Sequence, residues 1–399
     1  MMMQVLPWIC IFFLRRVQMI YLDNGATSFP KPPEVLAAFM EAAEDYCANP
    51  GRSSHFMAAR TAHEIFRARL AIASLFGIED PGRIVFTKNC TEAINIALAG
   101  ILRRGDHVVT SSMEHNSVMR PLWHLAGKGV EVTVVKCDRR GRLPLLDLAA
   151  AVRKNTRMIV LTAASNVTGT RMPVREAGKI AASSKALFMV DAAQGAGHIP
   201  LDVKRDHIDI MAAPGHKGLL GPQGTGFLYV REGTEPEPLL KGGTGTKSMD
   251  IWQPRDFPDG YEAGTLNSPG IIALGEGARF INRQGIESIE KKERMLTEAL
   301  RKGLSSISKV ELYGPLSAED TTAVVAANIR GMDCEEAARI LSDRFAIGVR
   351  AGFHCSGYAH RTIGTGKKGA LRFCPGIYTS EDDIEKTLEA VEYIASSRL

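Results

Sequence analysis

From residue 83 onward the chain alternates short apolar runs with longer amphipathic stretches. The apolar runs cover 83–87, 107–111, 130–135, 158–163, 187–191, 208–213 and 226–230, and they are rich in Val, Ile and Met. Between the earlier ones, apolar positions recur at helical spacing over 91–102, 117–128, 144–153 and 174–184. Short β-branched strands between helices are buried on both faces. The alternation therefore predicts an α/β fold, with a mainly parallel seven-stranded sheet covered by helices.

Upstream of this block, residues 20–23 read as a short strand. Lys31-Pro-Pro33 then restarts the chain into a helix over 34–46, and a further helix ends near Phe76. Downstream, 231–269 is loop-rich and helices are expected over 268–284 and 286–304. The tail, 310–399, predicts an α+β unit with strands near 323–328 and 347–350, helices over 334–344 and 380–397, and one polar loop over 351–369. The expected organisation is a non-conforming extension (1–18), an N-terminal segment packing with the small domain (19–32), a large domain (33–267) and a small C-terminal domain (268–399).

Composition narrows the class. With 399 residues, 45% hydrophobic and 23% charged, the chain is long enough for one large domain and a smaller one. The net charge of +5 is spread among interspersed acids and bases, without a basic stripe, so no nucleic-acid partner is expected. The seven cysteines include no Cys-x-x-Cys pair, which argues against a metal site or disulfide framework and fits a reducing cytoplasm. The apolar run 5–14 is too short to span a bilayer, and Arg15-Arg16 follows it, the reverse of a secretory signal. No membrane association is expected, and the protein proper is expected to begin at Met19.

The candidate chemistry sits at strand ends. After the run 208–213 comes a Gly/Pro-rich loop containing Gly215-His-Lys217, whose glycines allow close approach to the lysine. Leu187-Phe-Met-Val-Asp191 carries one carboxylate at the carboxyl end of an apolar run, 26 residues before Lys217. That pair suits pyridoxal 5'-phosphate, with aspartate on the ring nitrogen and lysine on the aldehyde. Gly242-Gly-Thr-Gly-Thr-Lys-Ser248 fails the nucleotide P-loop spacing, and Gly221–Gly226 fails the dinucleotide fingerprint.

Together with these, the segments Tyr21-Leu-Asp-Asn-Gly-Ala-Thr27, Phe86-Thr-Lys-Asn-Cys-Thr-Glu92, Glu114-His-Asn-Ser117, Ser165-Asn-Val-Thr-Gly169, Val190-Asp-Ala-Ala-Gln194, Glu262-Ala-Gly-Thr265, Gly352-Phe-His-Cys355 and Leu371-Arg372 resemble the cysteine desulfurases. These are a branch of the class-V aminotransferase-like, fold-type-I pyridoxal phosphate enzymes, and the resemblance spans 19–399. The short loop around Cys355 is more similar to the SufS-like and selenocysteine-lyase-like group than to the long-loop NifS and IscS group.

The resemblance implies a role for each matching residue. Lys217 holds the cofactor aldehyde and shuttles the substrate α-proton. His115 stacks on the ring and exchanges a proton nearby. Asn166 bonds near the ring oxygen and the substrate carboxylate, and Gln194 bonds the phenolic oxygen. Cys90 and Thr91, at a helix start with free N–H groups, receive the phosphate together with His216. Relatives usually carry a hydroxyl residue at position 90 and often a serine where this chain has Pro214, so fewer hydroxyls reach the phosphate here. Thr265 completes the partner subunit's phosphate site, which implies a homodimer.

Arg372 offers a fork for the substrate carboxylate, and Cys355, in a polar glycine-flanked loop, is the nucleophile. Cys137 and Cys334 read as buried, inert thiols. Singly, these residues also fit a solvated lysine, a capped helix, a turn asparagine or a structural salt bridge; their co-occurrence favours the site. The implied reaction takes L-cysteine to L-alanine, leaves a persulfide on Cys355, and passes sulfur to an acceptor protein or thiol. A selenocysteine lyase, another class-V aminotransferase or epimerase, and a non-catalytic sulfur-carrier scaffold remain open readings.

Overall fold

The computed structural model describes residues 19–50 and 54–396; the expected extension 1–18 lies outside them. The chain opens with β1 (Ile20–Tyr21) and then α1 (Pro33–Glu41), where Pro33 occupies a first-turn position that needs no N–H donor. One π turn, Ala42–Tyr46, extends α1. Next, α2 (Phe56–Phe76) is capped by the His55 side chain and stops at Gly77, whose φ of 66° suits glycine. The main block runs β2 (Ile84–Thr87), α3 (Cys90–Ile101), β3 (His107–Ser111), α4 (Asn116–Ala126), β4 (Glu131–Val135), α5 (Leu145–Ala151), β5 (Thr156–Thr162), α6 (Val174–Ser184), β6 (Leu187–Asp191), β7 (Ile210–Pro214) and β8 (Gly226–Val230).

These strands form the expected seven-stranded sheet, in the order β2-β8-β7-β6-β5-β3-β4. β8 runs antiparallel to both neighbours and the remaining pairs are parallel. β6 and β7 are buried along their whole length because helices cover both faces. Each large side chain so buried contributes about 1.5–3 kcal/mol.

In β6 and β7, Asp191 pairs with Ala212, two residues before β7 ends at Pro214. The Asp191 carboxylate and the loop bearing Lys217 therefore leave the sheet side by side at its carboxyl edge, where ligands bind in such folds.

The tail contains α7 (Ser268–Gln284), α8 (Ile286–Ser306), β9 (Val310–Tyr313), β10 (Val325–Ile329), α9 (Cys334–Phe345), β11 (Ile347–Gly348), β12 (Arg350–Gly352), α10 (Gly357–Ile363), β13 (Ala370–Phe373) and α11 (Glu381–Ser396). A four-stranded antiparallel sheet, β12-β13-β10-β9, gives the expected α+β character. Two details differ from expectation. β9 and β13 are additional strands of four residues, too short for a periodic pattern. The stretch expected as one loop, 351–369, holds the end of β12 and the two-turn α10, whose buried residues Ala359, His360 and Ile363 include a histidine that masks the apolar spacing.

The N-terminal segment bonds both to the C-terminal unit, where it forms a separate two-stranded sheet, and to the loop after β7. β1 pairs in parallel with β11. Farther along, Ser28 N and Thr27 Oγ1 donate to His216 O, and Ser28 Oγ donates to Lys217 O at 2.9 Å. Among the described residues no helix is long and apolar enough to cross a membrane, and no group of three or more His, Cys, Asp or Glu could hold a metal ion.

One buried ion pair anchors the segment that follows the large sheet. Arg69 Nη2 meets Glu262 Oε2 at 2.5 Å, and Glu262 Oε1 accepts from Phe86 N on β2. Glu262→Ala leaves the guanidinium buried without its counter-charge. It is expected to lower unfolding free energy by about 3–5 kcal/mol, read as a shift in the urea midpoint; an unchanged midpoint contradicts this role.

Candidate active site

A pocket at the carboxyl edge of the large sheet gathers eight residues singled out from the sequence: Cys90, Thr91, His115, Asn166, Asp191, Gln194, His216 and Lys217. Asn89, Ser117, Thr162, Ala193 and Pro214 complete its wall.

Asp191 ends β6 almost fully buried. Its Oδ1 accepts from Ala193 N at 2.9 Å and from Cys90 Sγ at 3.4 Å. A carboxylate so desolvated needs a cation or a strong donor. The Lys217 amine lies within its electrostatic reach. Burial lowers the lysine pKa, and the Arg372 guanidinium lowers it further, while Asp191 and Cys90 oppose the shift. Burial and Arg372 together make this amine easier to deprotonate than a solvated lysine.

Asn89 caps α3 by accepting from Glu92 N. A helix start leaves its first N–H groups without intrahelical partners, and here they belong to Cys90 and Thr91 on the pocket wall. Across from them, His216 Nδ1 is buried with no partner. Burial holds the His216 pKa down to about 4, with Lys217 and Lys31 adding to the shift. The cradle thus presents main-chain donors, a neutral imidazole and a lysine to one anion.

His115 is the N-cap of α4. Ser117 N donates to its Nδ1 at 3.0 Å, so in the neutral ring the proton rides on Nε2. Ser117 Oγ lies 2.7 Å from the same Nδ1 and 2.9 Å from Thr91 Oγ1, which links this ring to the start of α3. Burial lowers the His115 pKa to about 4 against the raising effect of Asp191. The preceding Glu114 is fully buried, with Oε2 unpartnered, and burial pushes its pKa up to about 8.

Three predicted residues stand outside the pocket wall. Arg372, on β13, is buried: Nη1 donates to Asn166 O at 2.9 Å, Nη2 pairs with Asp23 at 2.8 Å, and Nε has no partner. Cys355 is exposed in the turn between β12 and α10, and its carbonyl accepts from Asn116 N, next to His115. Thr265 lies on the exposed surface of its own chain, away from this pocket.

Several contributors went unnoticed in the sequence. Ser117 sets the His115 tautomer, and Asp23 holds Arg372. Gly25 O accepts from Gln194 Nε2 at 2.8 Å, and a Cβ at Gly25 would sit 2.7 Å from Cys374 Sγ. Asp23, Gly25 and Ser117 all lie inside segments that carry the family resemblance, but their partners are remote in sequence.

The family model described as aminotransferase class-V matches residues 20–387. The chain belongs to this family. It is similar to a probable cysteine desulfurase of Methanothermobacter thermautotrophicus, 39% identical over 94% of each chain. It is also similar to a probable cysteine desulfurase of Pyrococcus abyssi, 33% identical over 95% of each. Among solved structures, the apo cysteine desulfurase of Thermococcus onnurineus superposes with a TM-score of 0.89 at 36% identity, covering 94% of both chains. The cysteine desulfurase CsdA of Escherichia coli gives 0.84 at 28% identity, with the same coverage. These relatives place the chain in the cysteine desulfurase branch of the family, with the fold expected of it.

The histidines yield a pH prediction. His115, His216 and His360 have folded pKa values near 4 and His354 near 2, all lowered chiefly by burial from 6.5. Between pH 6.5 and 4 the unfolded chain takes up protons at these positions and the folded chain does not, so stability falls as pH falls through that window. Glu114, raised to about 8, opposes with a single proton. The thermal midpoint is expected to drop steadily from pH 6.5 to 5, less steeply in His360→Gln; a flat profile in the wild type would refute it.

Proposed function

We infer that this protein is a pyridoxal-phosphate-dependent cysteine desulfurase that converts L-cysteine to L-alanine and leaves the sulfur on Cys355. The observation that carries the reading is the pairing of a desolvated, pKa-lowered Lys217 with the buried carboxylate of Asp191 at adjacent strand ends, in a chain whose relatives are named as cysteine desulfurases. The pocket fits the cofactor. The unpartnered His216 Nδ1 and the α3 start would take the phosphate, Asp191 the ring nitrogen, and Gln194 the phenolic oxygen. When bound, pyridoxal phosphate supplies an aldehyde for covalent attachment and a ring that accepts electrons.

The protein's own residues supply the remainder. Lys217 Nζ, whose pKa burial lowers, takes and returns the substrate α-proton. Arg372 receives the substrate carboxylate through the fork whose Nε is still free, with Asp23 and Asn166 keeping that fork in place. His115 donates from Nε2, the position its bond from Ser117 N leaves protonated. The Cys355 thiolate attacks the substrate sulfur, so that an S–S bond forms and the substrate C–S bond breaks. In balance, L-cysteine and the Cys355 thiol give L-alanine and the Cys355 persulfide, and a second thiol, on an acceptor protein or small molecule, then takes the sulfur.

Thr265, exposed in its own chain, would complete the pocket of a second copy, which makes the working unit a homodimer. A catalytic free thiol requires a reducing compartment, and the cytoplasm meets that requirement.

A Lys217→Ala protein is expected to lose the yellow chromophore that borohydride fixes to the wild type. Cys355→Ser is expected to keep that chromophore while alanine release from L-cysteine falls by about a hundredfold or more. Release from L-selenocysteine, whose selenol departs with less help, should fall much less. Wild-type rates of alanine release from L-cysteine in Cys355→Ser would refute attack by the Cys355 thiolate, and a wild type that releases no alanine would leave the aminotransferase or epimerase reading in its place.

A further inference from the structure

The nucleophile stands in an unfavourable backbone conformation. Residues 353–356 form a tight turn closed by Ser356 N donating to Phe353 O at 2.9 Å, and its two central residues, His354 and Cys355, have φ of 49° and 55°. Turns with both central φ values positive are ordinarily built from Gly, Asn or Asp, because a Cβ crowds the following carbonyl. Here neither central residue is of that kind, so contacts from outside the turn must hold it.

Those contacts converge on Asn166. Its Nδ2 donates to His354 O at 2.7 Å, and its Oδ1 accepts from Ser356 Oγ at 2.6 Å. One amide thus grips the chain on both sides of Cys355. Ser356 and Asn166 are buried, so neither bond competes with water. Asn116 N adds a donor to Cys355 O, and His354 Nδ1 lies 3.2 Å from Nε2 of the buried His360. Asn166 also lines the cofactor pocket, and its own carbonyl accepts from Arg372 Nη1. An asparagine amide carries two N–H groups and two lone pairs. The clamp uses one of each, leaving one N–H and one lone pair for whatever occupies the pocket.

We propose that Asn166 and Ser356 form a two-point clamp that holds Cys355 in its left-handed turn, and that Ser356 is a positioning residue for the attack of the thiol. Only the identity of that attack rests on the desulfurase reading; the clamp itself is a property of the turn. Ser356 is the residue to vary, because its hydroxyl serves the clamp and is not part of the cofactor-pocket wall.

The test compares wild type, Ser356→Ala and Ser356→Thr as full-length holoenzyme. Amide hydrogen exchange of the peptide covering 353–358 is followed by mass spectrometry, alongside kcat and KM for alanine release. Ser356→Ala strands Asn166 Oδ1 without its donor. Exchange in that peptide is expected to quicken by about five- to a hundredfold, with the rest of the chain unchanged. kcat is expected to fall by about ten- to a hundredfold with KM within about twofold, because the thiol is displaced and substrate capture is not. Ser356→Thr, which keeps the hydroxyl, should restore both. A Ser356→Ala loop that exchanges at the wild-type rate overturns the clamp, whatever the activity. Quickened exchange in a protein whose wild type releases no alanine upholds the clamp and removes the proposed function instead.

Discussion

The buried carboxylate of Asp191 is the constraint around which the site is arranged. An ionised group at the end of a fully apolar strand is tolerated only if other groups meet its charge. Ala193 N and Cys90 Sγ satisfy one oxygen, and the Lys217 amine of the neighbouring loop lies within its electrostatic reach from the adjacent strand end. The parallel register of β6 with β7 decides that these two groups meet. Arg372 adds to the balance: its positive charge bears on Lys217 and lowers the lysine pKa, and Asp23 supplies the guanidinium with a counter-charge.

That arrangement makes the two sheets interdependent. Arg372 lies on the small antiparallel sheet, yet its bonds go to Asp23 in the N-terminal segment and to Asn166 after β5 of the large sheet. The N-terminal segment is itself hydrogen-bonded to the main-chain carbonyls of His216 and Lys217. The group that would bind substrate, the group that would bind cofactor and the turn carrying Cys355 are thus joined through a few polar contacts between residues remote in sequence.

Much of this was legible in the sequence. Asp191 stood out because a lone carboxylate on an apolar run has few structural uses, and Lys217 because glycines surround it. The alternation of strand and helix was readable because buried parallel strands are uninterrupted apolar runs. The rest was hidden for physical reasons. The clamp on Cys355 joins residues about 190 positions apart, and neither the asparagine nor the serine has a pattern that announces such a bond. The helix Gly357–Ile363 was concealed because His360 occupies a buried position that period analysis reserves for apolar residues. Ser117 was visible at the end of a motif, but its effect on the His115 tautomer depends on a main-chain donor that only the folded cap reveals.

The account stands most directly on where the sulfur goes in a single turnover. Holoenzyme mixed with less than one equivalent of L-cysteine, without any acceptor thiol, should be digested and its cysteine peptides weighed. The account predicts one added sulfur atom on the peptide containing Cys355, none on those of Cys90 or Cys374, and L-alanine released in equal amount. Alanine released with no sulfur retained on Cys355, or sulfur found on a different cysteine, would contradict it.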